Sequence, residues 1–198
     1  MRALMSLLIV LLVACAGNSR QVDMAVHDLG MPAGNWEATG IAIAAVEVQG
    51  RSPLASTAMH YRLEYADATR RLSYAENRWA APPAELLEKF LTRRIVFGQR
   101  DVAASGCRLR LGLDDLTQNF DGVRSSAINL ETRAVLLSAR GEEMLAQRAF
   151  QMRLVAPTPD ARGGVLATRA ALQSLADELN RWLAEVARAR PSIAARCG

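Results

Sequence analysis

The stretch CRLRLGLDDLTQNFDG, Cys107 to Gly122, decides the fold class. Cys107, Leu109, Leu111 and Leu113 alternate with Arg108 and Arg110, which is the two-residue period of a strand with one apolar and one polar face. The phase changes at Asp114-Asp115, and Leu116 and Phe120 carry the apolar set onward at even positions. Adjacent carboxylates on a strand point to opposite faces, so this pair marks a bulge or a strand edge rather than a catalytic couple. Asp121-Gly122 ends the stretch with a hairpin signal.

Downstream the alternation continues. In SSAINLETRAVLL, Ile128, Leu130, Ala134 and Leu136 oppose Asn129, Glu131 and Arg133. After a turn at ARGEE, MLAQRAFQMRLV sets Met144, Phe150, Met152 and Leu154 against Gln147, Gln151 and Arg153. The expectation is a three-stranded meander with one wet face. Upstream, AMHYRLEY alternates Met59, Tyr61, Leu63 and Tyr65 with His60, Arg62 and Glu64, and RRLSYA supplies a hairpin partner. GIAIAAVEVQG is another strand, with a phase slip at Ala44-Ala45.

Two helices separate and close these groups. PPAELLEKFLTRRIVF lines up Leu86, Leu87, Phe90 and Leu91 behind a proline start. From about Val165 to Arg188, the residues Leu172, Leu175, Leu179, Trp182, Leu183 and Val186 form a second stripe. The order predicts an α+β domain: a mostly antiparallel sheet in βββα-βββα order with two amphipathic helices packed on one face. The other face would carry His60, Arg62, Arg108, Arg110, Glu131, Arg133 and Gln151, solvated or used by a partner. The joint YAENRWAAPP, Tyr74 to Pro83, links a strand to a helix. Its Trp79 either covers that corner or anchors an interface, and the corner is favoured.

The amino terminus is set apart from the fold. Arg2 precedes an apolar run from Leu4 to Val13, too short to span a bilayer as a helix. Leu12-Val13-Ala14-Cys15 resembles a bacterial lipobox. The resemblance implies cleavage before Cys15, lipid attachment to that cysteine and a membrane anchor. The position after it holds Ala16 rather than aspartate, which favours the outer membrane over the inner, with the chain facing the periplasm. The expected divisions are residues 1–14 as signal peptide, 15–35 as lipidated tether, docking near VHDLGMP, 36–190 as one domain and 191–198 as tail. In an oxidising compartment Cys107 and Cys197 can bridge, or remain two separate thiols. Without a CxxC or a histidine beside them they make no metal site.

Nothing in the chain reads as enzymatic. It has no nucleophile elbow, phosphate loop or helical histidine pair, and only two histidines, His27 and His60. The charge balance, 24 Lys and Arg against 20 Asp and Glu, is mixed along the chain and forms no nucleic-acid-binding patch.

Several segments together resemble the ABC-type transport auxiliary lipoproteins, the PqiC/YmbA-like family. They are YRLEY followed by RLSYAENRWAAPPAELLEKFL, LRLGLDDLTQNFD with SSAINLETRAVLL, and QRAFQMRLVAPTPDARGGVLATRAAL. VHDLGMP matches a segment that often carries an aromatic residue where His27 stands. The resemblance spans about Val26 to Trp182. It implies a non-enzymatic docking lipoprotein of an MCE-type ABC system that moves lipids or other hydrophobic molecules and supports envelope integrity. Its expected partner is the MCE-domain subunit. Homo-oligomerisation stays open, and no cofactor beyond the covalent lipid on Cys15 is expected. The expected contact residues are Trp79, His60, Arg62, Arg108 and Arg110. The alternative is a lipoprotein that itself carries an acyl chain, which needs an apolar cavity between sheet and helices.

Overall fold

The computed structural model describes residues 23–97, 99 and 106–197; the signal segment and Cys15 lie outside the described residues. The elements are β1 Ala25–His27, β2 Ile43–Gly50, β3 Ala58–Leu63, α1 Glu64–Asp67, β4 Ala68–Trp79, α2 Pro83–Ile95, β5 Cys107–Gly122, β6 Ser125–Leu137, β7 Met144–Val155, α3 Ala161–Ala189 and α4 Pro191–Arg196. All seven strands join one sheet in the order β1-β4-β3-β5-β6-β7, with β2 also paired to β5.

β5 organises this sheet because its long alternating sequence serves two neighbours on one edge. β2 runs parallel to residues 107–113 of it, and β3 runs parallel to residues 118–120. Between those stretches the register with β6 shifts at Leu113/Asp115. The phase change read at Asp114-Asp115 is therefore a bulge, and it falls where the neighbouring strand changes. The slip at Ala44-Ala45 likewise corresponds to a register shift between Ile43 and Ala45.

The sheet is mixed and four helices are present among the described residues, where a mostly antiparallel sheet in βββα-βββα order with two helices was expected. β1–β4, β2–β5 and β3–β5 are parallel, whereas β3–β4, β5–β6 and β6–β7 are antiparallel. Side-chain alternation reports which face a residue occupies, but not the direction of the neighbouring strand. The crossover through α2 is what returns the chain alongside β2 and β3 in their own direction.

The apolar face lies under the helices. α2 packs on β2, α3 packs on β6 and β7, and the two helices touch each other. Leu109, Leu111, Leu130, Leu136, Leu172, Leu175 and Leu179 are fully buried between these layers. Trp182 meets Phe150 edge-on at 5.9 Å between ring centres. Full burial of each such side chain contributes about 1.5–3 kcal/mol.

α3 begins four residues before the expected Val165, for a local reason. The Asp160 carboxylate accepts the Gly163 N–H at 2.7 Å, a side-chain N-cap. A side chain at Gly163 would collide with the Thr158 carbonyl, and one at Gly164 with the Gln118 amide. Two glycines therefore let the helix start press directly on β5 and on the loop after β7.

Within the segment read as a tether docking near VHDLGMP, Ala25–His27 form β1 and Leu29 is buried, because the parallel pairing with Asn77–Trp79 takes this stretch into the sheet. Three further expectations change. The tail forms α4, held by buried Ile193 and by Cys197. Met144 is exposed while Leu145 and Ala146 are buried, since a register shift at Leu136/Leu137 flips the start of β7. Tyr65 leaves the apolar face because β3 stops at Leu63 and α1 follows, leaving that ring half exposed.

Candidate functional site

The polar face of the sheet carries most of the residues expected to meet a partner, and it satisfies their charges internally. On β2, Glu47 accepts from Arg108 Nη2 at 2.5 Å and from Arg110 Nε at 3.2 Å. The Arg108 hydrogen bond leads the effects that hold the Glu47 carboxyl below its ordinary range, against a smaller upward push from burial. At the bulge, Asp114 accepts both Nε and Nη2 of Arg133, at 2.8 and 2.7 Å.

Asp115, one residue further, takes a different set. Arg62 and Arg71 stand on adjoining antiparallel strands, next to the paired residues Tyr61 and Leu72. Like charges placed so are mutually destabilising. The Asp115 carboxylate relieves this, accepting from Arg71 Nη2 at 2.9 Å, Arg62 Nη1 at 3.3 Å and Thr117 Oγ1 at 2.7 Å. Burial pushes its pKa up, but the Thr117 and Arg71 hydrogen bonds and both arginine charges together bring it below the ordinary value. The bulge thus aims two adjacent aspartates at separate partners, Asp114 at Arg133 and Asp115 at Arg62 and Arg71.

The remaining expected contacts are placed as follows. His60 lies on β3 with Nε2 3.3 Å from the Pro53 carbonyl and Nδ1 3.2 Å from Ser73 Oγ. Trp79 is only 5% exposed and belongs to the core, and its backbone N–H donates to the Thr57 carbonyl at 2.8 Å. It closes the strand-to-helix corner and offers no accessible ring for a partner, which corrects its place among the contact residues. Arg62, Arg108 and Arg110 are engaged in ion pairs and not free. The sulfurs of Cys107 and Cys197 are 1.97 Å apart with Cα atoms 4.8 Å apart, joining the start of β5 to the end of the chain.

A buried polar node escaped the sequence reading. Gln118, 2% exposed, donates through Nε2 to Ser126 Oγ at 2.8 Å and to the Asp160 carbonyl at 3.1 Å. Its Oε1 accepts from the Tyr74 hydroxyl at 3.1 Å. Burial, with the neighbouring Tyr61 and Asp160, pushes the Tyr74 hydroxyl far up, so it remains a donor. One amide therefore ties β4, β5, β6 and the start of α3. Its sequence signal was a polar residue at an even, apolar-face position of β5. Arg94 also escaped: it lies near the end of α2, past the apolar stripe of Leu86, Leu87, Phe90 and Leu91, yet it is buried.

Among the described residues, one cavity lies between sheet and helices, and it is small. The cavity lined by Met59, Tyr74, Trp79, Leu116, Gln118 and Thr168 holds about 10 Å³. That is about the volume one water needs, whereas small-molecule sites take roughly 300–1,000 Å³. Among the described residues, no helix is long and apolar enough to cross a membrane.

Comparison with known proteins agrees with this architecture. The family model described as ABC-type transport auxiliary lipoprotein component matches residues 31–180. The crystal structure of protein XCC0632 from Xanthomonas campestris superimposes with a TM-score of 0.65 at 19% identity, covering 86% of this chain and 98% of that one. A crystal structure of an uncharacterized protein gives a TM-score of 0.58 at 14% identity, covering 81% of this chain and 99% of that one. At such identities the likeness is one of fold. A search of curated proteins found no match.

Proposed function

This chain belongs to the ABC-type transport auxiliary lipoprotein family, and we propose that it acts as a non-enzymatic docking component of an MCE-type transport system. In this reading lipid on Cys15 holds it at the outer membrane, facing the periplasm. The folded domain meets the MCE-domain subunit and keeps that end of the system close to the membrane. The cargo is a lipid or another hydrophobic molecule, and the physiological result is envelope integrity. The observation that carries the proposal is the family match over residues 31–180.

The small cavity between sheet and helices supports docking over acyl-chain carriage. A carrier needs an apolar space between sheet and helices, and the cavity described there has room for about one water. A docking protein needs a rigid body, and the mixed sheet, the helix layer and the Cys107–Cys197 link supply one.

Copurification tests the proposal. The full lipidated chain, tagged at its carboxyl end, is recovered from crosslinked envelopes and its companions are identified by mass spectrometry. Enrichment of an MCE-domain subunit is expected. Recovery of the chain alone, with the ABC complex intact in the same extract, would count against docking. A non-covalently bound acyl lipid in native mass spectra would favour the carrier.

A further inference from the structure

Arg94 is the one buried arginine of the described chain, with its side chain 8% exposed. Its Nη2 donates to Asp177 Oδ1 at 3.1 Å. Nε and Nη1 are buried without a partner among the described residues. A guanidinium has five N–H donors, and burying donors without partners costs them their hydration. Asp177 is half exposed and cannot offset that cost alone. Unmet donors at such a place call for an oxygen ligand.

The chain from Gly30 to Glu37 crosses this guanidinium as a strap. Gly34, at φ 74°, lies so close that a Cβ there would stand 3.2 Å from Nη2 and 3.4 Å from Nη1. The strap is tied down by side chains of α3. Arg169 donates to the Met31 carbonyl at 3.1 Å, Gln173 accepts the Ala33 N–H at 3.2 Å, and Asn180 donates to the Glu37 carbonyl at 2.8 Å. These ties are exposed, and both glycines sit at positive φ. Clefts of about 430 and 230 Å³ flank the strap, and Asn35 and Arg94 wall both.

We propose that Arg94, its strap and the two clefts form a docking site for an acidic peptide segment of a partner protein. A carboxylate of that segment takes the open Arg94 donors as the strap lifts and exchanges with Asp177. Charge favours an anion, because Arg93, Arg94 and Arg181 line the clefts against only Glu37 and Asp177. Shape favours a peptide over a single headgroup, since two clefts meeting at Arg94 suit an extended chain. Met31, 60% exposed beside Arg93, offers that chain an apolar contact. The site deepens the docking proposal and rests on it only in naming a protein as the source of the carboxylate.

The test uses the full lipidated chain anchored in phosphatidylcholine nanodiscs. The probes are a fluorescent acetylated Glu-Leu-Glu-Glu peptide, its Gln-Leu-Gln-Gln counterpart, inorganic phosphate, and phosphatidylglycerol vesicles. Saturable binding of the acidic peptide alone is expected. Arg94→Gln should weaken it about tenfold or more, and Asp177→Asn should tighten it about five- to tenfold by removing the competing charge. Asp177→Asn keeps an amide oxygen at a half-exposed position to accept from Arg94 Nη2, and it carries the test even if Arg94→Gln unfolds. The proposal is overturned if both peptides bind alike or neither binds, if Asp177→Asn changes nothing, or if phosphate or vesicles occupy the site in preference to the peptide. Such a failure leaves copurification with an MCE subunit unaffected, so the two proposals fail separately.

Discussion

Replacing Gln118 by methionine keeps the side chain's length and flexibility and removes its amide. Three hydrogen bonds disappear together, to Tyr74, Ser126 and the Asp160 carbonyl. Each is worth about 1 kcal/mol net, and the stranded polar partners add to the loss, so a destabilisation of about 3 kcal/mol is expected. Tyr74→Phe alone removes one of the three and should cost about 1 kcal/mol. Because the two residues share that bond, the double variant should be less destabilised than the sum of the singles by about 1 kcal/mol. Urea unfolding of the full chain in mild detergent, followed by fluorescence of Trp36, Trp79 and Trp182, measures all four corners of the cycle. A loss under about 0.5 kcal/mol for Gln118→Met, or additivity within about 0.3 kcal/mol, would show that the node does not tie the helix start to the sheet.

Removing the Cys107–Cys197 link, whose cysteines are 90 residues apart, should cost about 4–5 kcal/mol by loop entropy. The double alanine variant compared with the oxidised chain in urea measures this, and equal midpoints would refute it. Asp115 has a folded pKa below the ordinary 3.8, so its ion cluster stabilises fully above that value and loses its effect as pH falls through the lower folded one. Asp115→Asn should therefore be less stable than the parent at neutral pH and show a shallower acid loss below about pH 4, and parallel pH profiles would contradict the assignment. Trp79→Ala should destabilise by about 3–5 kcal/mol through the emptied corner. A variant of unchanged stability that had lost partner recovery would return Trp79 to the interface.

Much of this architecture is legible residue by residue. The strict alternation of Cys107, Leu109, Leu111 and Leu113 predicts β5, and the stripe from Leu172 to Val186 predicts α3, because burial on one face imposes a period of its own. Even the bulge at Asp114-Asp115 shows as a change of parity. Strand direction does not show, since β2 and β3 alternate identically whether they run with β5 or against it. β1 is missed because three residues are too few to display a period. The expected contact residues were found as polar-face positions, but their mutual pairing depends on register. Arg62 and Arg71 meet Asp115 only once β3, β4 and β5 are aligned. Arg94 is hidden for a related reason: its burial comes from the Gly34 strap, which lies far from it in sequence.

Direct binding between the purified full-length chain and the purified periplasmic portion of an MCE-domain subunit of the proposed transport system tests the central claim. Titration in detergent, with the proposed lipid on Cys15 verified by mass spectrometry, should give a saturable complex with a Kd of about 1 μM or tighter, near −8 kcal/mol. No binding at roughly a hundred times that concentration, from a chain whose urea unfolding shows it to be folded, would contradict the docking role.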